Sequence, residues 1–115
     1  MKGKAVHFTE IELEKVTAPG AKNTAVRWLI SDKDGAPTFA MRLFEVGVNG
    51  NTPLHNHPWE HEIFILEGEA KVKMGNEEFH VKPGYAIYIP PNIKHTIVNT
   101  GEGTLKFLCM IPIKK

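Results

Sequence analysis

At 115 residues, 42% of them apolar, the chain has room for one folded domain with one core, and its 14 basic and 13 acidic residues (net charge +1) form no run that reads as a nucleic-acid footprint or an acidic tail. A single cysteine excludes an intrachain disulfide framework and fits a reducing compartment. Residues 1–10 include lysines but no apolar h-region, and no apolar run approaches a membrane span, so the expectation is a soluble cytoplasmic protein without membrane or nucleic-acid partners.

Residues 1–24 form a weakly patterned arm. Ile11, Leu13 and Val16 suggest an irregular strand, broken by Ala18-Pro19-Gly20-Ala21. The arm is a candidate for exchange or packing across a dimer. Ala25–Ile30 is a short apolar strand, followed by a turn over Ser31–Pro37. Thr38–Val48 is the first long strand, rich in Phe, Leu and Val, and it opens the expected barrel core, 38–113. Asn49–Pro53 is a loop. Ile63-Phe64-Ile65-Leu66 is apolar on both faces, which predicts a strand covered on one side by the interior and on the other by a second layer or subunit.

The clearest hairpin follows. Ala70, Val72 and Met74 alternate with Lys71 and Lys73. Across a Gly75-Asn76 turn, Phe79 and Val81 alternate with Glu78, His80 and Lys82. That turn sets Val72 opposite Phe79 and Lys73 opposite Glu78, two favourable cross-strand pairs. Tyr85–Ile89, His95–Asn99 and Thr104–Ile113 complete a set of short strands punctuated by Gly and Pro. No apolar pattern holds a helical period for three turns. The expected fold is all-β, a sandwich or barrel of one domain.

One stretch stands apart: His55-Asn56-His57-Pro58-Trp59-Glu60-His61-Glu62 packs three histidines and two carboxylates into eight residues. Imidazole is the commonest protein ligand for divalent metals. In a strand, His55 and His57 would share a face and reach one ion. Pro58 breaks the ladder, so a third ligand falls on His61 by parity or on Glu62 after a one-residue bulge. A fourth would come from a neighbouring strand, and His95 is the downstream histidine outside the polar hairpin face.

These residues resemble the cupin family, and in particular its small single-domain metal-binding members. The family's first motif runs G-x5-H-x-H-x3-4-E-x6-G. Asn49 stands at its first glycine with Gly50 beside it, His55 and His57 match, and six residues between His61 and Gly68 favour His61 over Glu62 as the acidic-position equivalent. The second motif runs G-x5-P-x-G-x2-H-x3-N. Gly84, Pro90, His95 and Asn99 match, and Asn92 replaces the middle glycine, a mild change because Asn tolerates left-handed angles. The resemblance implies a jelly-roll barrel and one divalent ion per chain. It implies the ligands His55, His57, His61 and His95, with Glu62 as the alternative. His61 where most relatives carry Glu resembles a subset of four-histidine cupins, several of which hold manganese. Manganese or iron is favoured, with zinc, nickel or copper also open to imidazole ligands.

Other residues carry plainer readings. His7 and His80 are expected to be solvated, and Glu60 to be solvated or to support a ligand. Arg42, in the apolar run Phe39–Phe44, is an edge salt bridge or an inward guanidinium clamping an anionic substrate. Cys109 is a small buried hydrophobe or a thiol near the metal. Trp59, Ile63, Ile97 and Phe107 are expected to line an apolar cavity, and at most one of Tyr85 and Tyr88 to face it. The first functional expectation is a dioxygenase-type oxidoreductase acting on a small organic substrate, because no general base stands out and two coordination positions remain open. A non-catalytic metal- or metabolite-binding cupin, or an isomerase or lyase using Glu62 or a tyrosine, are the alternatives. The outward apolar residues Phe64 and Leu66 predict a homodimer.

Overall fold

The computed structural model describes residues 2–113. Nine strands run in order: β1 (Glu14–Lys15), β2 (Lys22–Ile30), β3 (Phe39–Asn51), β4 (His61–Glu67), β5 (Ala70–Met74), β6 (Glu77–Val81), β7 (Ala86–Ile89), β8 (His95–Asn99) and β9 (Leu105–Pro112). The only helical pieces among the described residues are single 3₁₀ turns at Phe8–Glu10 and Asp32–Asp34, so no helix there is long and apolar enough to cross a membrane. The strands pair antiparallel in the order β6-β5-β8-β3-β9-β4-β7, with β2 joining β3 and β1 joining β2. Five pairings, β5–β8, β8–β3, β3–β9, β9–β4 and β4–β7, join strands that are not consecutive in the chain, as a jelly roll requires.

Strand alternation sorts the side chains into an inner and an outer face. One inner row crosses the sheet from Val26 to Phe44, Phe107 and Ile65, as cross-strand partners. Phe44 and Phe107 stack at 5.1 Å with an interplanar angle of 11°. Phe107, Ile65, Ile89, Leu105, Val46 and Val72 are fully buried, each contributing about 2 kcal/mol by removal from water. The next inner row, Trp28–Arg42–Cys109–Ile63–Ile87, lies closer to the histidines and carries the polar exceptions.

The hairpin register follows its turn: Val72 lies opposite Phe79 and Lys73 opposite Glu78. The ion pair, however, is diagonal, from Lys71 to Glu78 at 3.9 Å. Strand ends differ most from the sequence reading at β2 and β3. β2 starts at Lys22, three residues early, and β3 runs on through Asn49–Asn51, which was expected to be loop. The extension survives because Asn49 takes a left-handed φ of 63° and Gly50 lets two backbones meet. A Cβ on Gly50 would sit 2.7 Å from the Lys22 carbonyl oxygen.

In the single chain the arm packs on its own barrel. Phe8 lies under Arg27 of β2 and Lys106 of β9, at 5.6 and 5.9 Å, and the Val16 N–H donates to Thr24 O. Within the arm, β1 is shorter than the Ile11–Val16 strand the pattern implies. His7 is exposed but not idle: its Nδ1 accepts from the Thr9 N–H and its own N–H donates to Glu10 Oε2, capping the first turn.

Candidate metal centre

The segment 52–60 is not a strand, so the shared-face argument for His55 and His57 does not describe how they meet. The segment crosses to β8 and is stitched to it. Thr52 N–H donates to Ile97 O, Thr52 Oγ1 accepts from Ile97 N–H at 2.9 Å, and Thr96 Oγ1 donates to Thr52 O at 2.6 Å. His55 then forms an isolated antiparallel bridge with His95. Farther on, Asn92 N–H donates to His57 O at 2.6 Å. Asn92 does this with φ 66°, the left-handed angle anticipated for the residue replacing glycine.

This stitching brings the rings together. The nearest ring nitrogens of His55, His57 and His95 lie within 4.8 Å of one another, so three histidines are positioned to bind a metal ion. Centroid separations are 4.2 Å for His55–His57 and 5.0 Å for His55–His95. His61, first residue of β4, faces the same space, 4.7 Å from His95 and 5.3 Å from His57 between centroids. Its neighbour Glu62 is exposed on the outer face opposite Tyr88.

The donor chemistry suits a divalent ion. His95 Nδ1 donates to the Ile93 carbonyl at 2.9 Å, since a carbonyl only accepts, which leaves Nε2 as the lone-pair donor. His61 Nδ1 is buried with no hydrogen-bond partner, a ring nitrogen that an ion or its water would satisfy. Burial pushes the imidazolium form out: His61 is lowered to about 3 and His55 to about 4, in both cases with further repulsion from neighbouring histidines and Arg42. His95 is lowered for the same first reason, burial. Neutral imidazole is the ligating form, so the cluster is held ready for a cation.

The histidines open into a cavity of about 250 Å³. Ile63, Ile97, Phe107, Arg42 and Cys109 all line it. Arg42 is inward and makes no ion pair among the described residues, so the edge salt bridge is not what it forms. Its Nη2 donates to Cys109 Sγ at 3.1 Å. Cys109 is both buried and at the cavity wall.

Trp59 does not line the cavity; it stacks on His57 at 4.4 Å and 4°, backing a ring of the cluster instead. Glu62, Tyr85 and Tyr88 are also absent from the wall, and both tyrosines are exposed, so the proton carriers of the isomerase or lyase reading are not at hand. Sequence reasoning missed several wall residues, among them Val16, Ala18, Trp28 and Thr52. Of these four, Trp28 carried a signal, its parity with Val26 on β2.

Comparison with known proteins supports this picture. A family model of the cupin domain matches residues 42–111. The chain is 42% identical to the polyketide cyclase RemF from Streptomyces resistomycificus, with a TM-score of 0.91 over 98% of this chain and 81% of that one. A predicted oxalate decarboxylase from Thermotoga maritima superposes with a TM-score of 0.85 at 25% identity, covering 96% of this chain and 100% of that one. The uncharacterized protein MJ1618 of Methanocaldococcus jannaschii is 48% identical over 65 residues, 56% of this chain; the chain spans about half of that relative's length (52%). With both histidine motifs falling inside the matched segment or on its barrel strands, the chain belongs to the cupin domain family.

Proposed function

We propose that this protein is a divalent-metal enzyme acting on a small organic substrate inside the barrel. The observation that carries the reading is the convergence of four imidazoles, from His55, His57, His61 and His95, on an apolar cavity with no carboxylate in its wall. One ion per chain is proposed, manganese or iron first. A divalent ion held there would polarise a carbonyl oxygen and acidify the neighbouring C–H, and a redox-active ion would also let dioxygen react with the substrate. The chain's own residues supply the rest. His95 is fixed in one tautomer by Ile93, Trp59 braces His57, and Ile63, Ile97 and Phe107 exclude water from the reacting centre.

Two reaction types fit. The likeness to a polyketide cyclase favours carbonyl chemistry on an enolisable substrate, in which a C–H between two carbonyls needs no strong base from the protein. The lack of a free base in the wall, with a largely apolar lining, favours the dioxygenase type. Turnover of a panel of β-diketones, β-keto acids, catechols and dihydroxybenzoates, with and without air, separates them. Carbonyl chemistry proceeds under nitrogen, and dioxygenation consumes oxygen in step with substrate. Metal-loaded protein that turns over none of the panel would leave a binding module. Protein purified without a chelating tag and lacking bound metal would remove the reading altogether.

The same reading takes the protein as a homodimer. Its support is the outer face of β4 and β7, where Phe64, Leu66 and Tyr88 are 41%, 46% and 57% exposed.

A further inference from the structure

Arg42 is the one guanidinium in the cavity wall, and it has more donors than acceptors around it. Among the described residues its single hydrogen bond goes to a thiol sulfur, a weak acceptor, and its Nε is buried without a partner. Burial pushes the Cys109 thiol up, so it stays protonated beside the guanidinium rather than neutralising it. Arg27, on the neighbouring strand, shows what a purely structural arginine looks like in this barrel, with its Nε on Glu45 at 3.1 Å. Arg42 instead lies against two aromatic rings, 5.3 Å from the Trp28 centroid and 4.8 Å from Phe44. Register puts it there: on β3 it is the cross-strand partner of Trp28 on one side and Cys109 on the other.

The charge of the wall points the same way. It contains four histidines and one arginine but no aspartate or glutamate. A divalent ion on neutral imidazoles would add its charge to that of Arg42 with no protein anion to offset either. Buried charge without a counter-charge is costly, and here the remaining source of one is the ligand.

We propose that Arg42, seated between Trp28 and Phe44, binds the anionic end of the substrate, and that this end is a carboxylate on a small unsaturated or aromatic acid. The inference deepens the metal-enzyme reading and rests on it. A planar guanidinium fork matches a carboxylate, and Trp28, Phe44 and Phe107 in the same wall offer aromatic surface to a conjugated body. The cavity, at about 250 Å³, suits one ring with a short substituent.

Calorimetric titration with benzoate and its neutral isostere benzamide tests this, on metal-loaded and on chelator-stripped protein. Loaded wild type binds benzoate about tenfold or more tightly than benzamide, as a charge-assisted hydrogen bond predicts. Arg42→Gln lowers that preference severalfold by weakening benzoate more than benzamide, while Arg42→Lys keeps more of it. Equal binding of the two compounds by loaded wild type overturns the proposal. Stripping the metal weakens benzoate but leaves an Arg42-dependent preference. If stripping changes nothing while the preference persists, the metal reading fails and the Arg42 assignment stands. Should Arg42→Gln not fold, the Arg42 Nε–H resonance of wild type decides: it shifts on adding benzoate, and an unmoved resonance overturns the proposal.

Discussion

His55 and His95 hold each other by the backbone: the His55 N–H donates to His95 O at 3.1 Å and the His95 N–H to His55 O at 2.9 Å. Two ring donors from distant parts of the chain are thereby fixed 5.0 Å apart between centroids, before any ion is considered. The loop that carries His55 needs no strand partner of its own, because β8 supplies the partner one residue at a time. The cost of ordering the ligands is met during folding rather than at metal binding, which favours tight binding.

The choice between His61 and Glu62 is open to a direct test. His61 is 5% exposed at the inner face, while Glu62 points outward beside Tyr88. His61→Ala is expected to lower the metal content of purified protein sharply, by tenfold or more in affinity on the order of a lost ligand or its support. Glu62→Ala should leave it unchanged. Elemental analysis of both variants reads the outcome, and the reverse pattern would make the site three histidines and a glutamate.

Much of this centre was legible in the sequence, and the reason is local. The ligand candidates were named by residue type and short spacing, although His55 and His57 meet through the bridge to β8 and not on the strand face that their spacing suggested. The hairpin register was legible because a two-residue turn fixes it. Trp59 was not placed correctly, because parity fails in the irregular segment after Pro58 and only tertiary packing decides that it stacks behind His57. Arg42 was ambiguous for a related reason. Alternation said which residues share its face, but not whether that face was core, edge or cavity. The contribution of Val16 and Ala18 to the wall had no sequence signal, since it depends on how the arm wraps around β2.

Stability of the metal-free protein should fall as the solution is acidified. His55 and His61 have folded-state values of about 4 and about 3, below the ordinary 6.5. Above pH 6.5 both folded and unfolded chains hold these rings neutral, and the groups add no pH dependence. Below it the unfolded chain takes up protons that the folded chain refuses. Each histidine then costs the fold about 1 kcal/mol per pH unit, until the folded rings themselves protonate. Thermal melts of chelator-treated protein should show Tm dropping between pH 6.5 and about 4 and flat from 6.5 to 8. A melt independent of pH across the acid range would mean that the rings are not held neutral by burial.

The exposed outer face of β4 makes its own prediction. Ile63 and Ile65 are buried in the barrel, but Phe64 and Leu66 stand exposed among the described residues. Phe64→Glu is expected to turn a dimer into a monomer in sedimentation velocity while leaving the metal content as it was. Wild type that sediments as a monomer at micromolar concentration would leave this face without its proposed second copy.

Asn99 closes the second motif, and its geometry explains why an amide is needed there. The side chain is 5% exposed. Its Nδ2 lies 2.9 Å from Val46 O, 3.1 Å from Gly47 O and 2.9 Å from Gly103 O, and its Oδ1 accepts from the Gly101 N–H at 2.8 Å. Two N–H donors are thus shared among three carbonyls, tying the end of β8 to β3 and to the turn before β9. Asn99→Ala leaves those groups buried without partners and should cost about 2 kcal/mol, roughly 10 °C in Tm for a domain of this size. Asn99→Asp keeps the shape but sets a carboxylate against three carbonyl oxygens, so at neutral pH it should cost at least as much. The loss should shrink as the pH is lowered far enough to protonate that carboxyl. The two variants compared by thermal melts check the argument. If Asn99→Asp melts like wild type at pH 7, the amide donors are not what holds β8 in place.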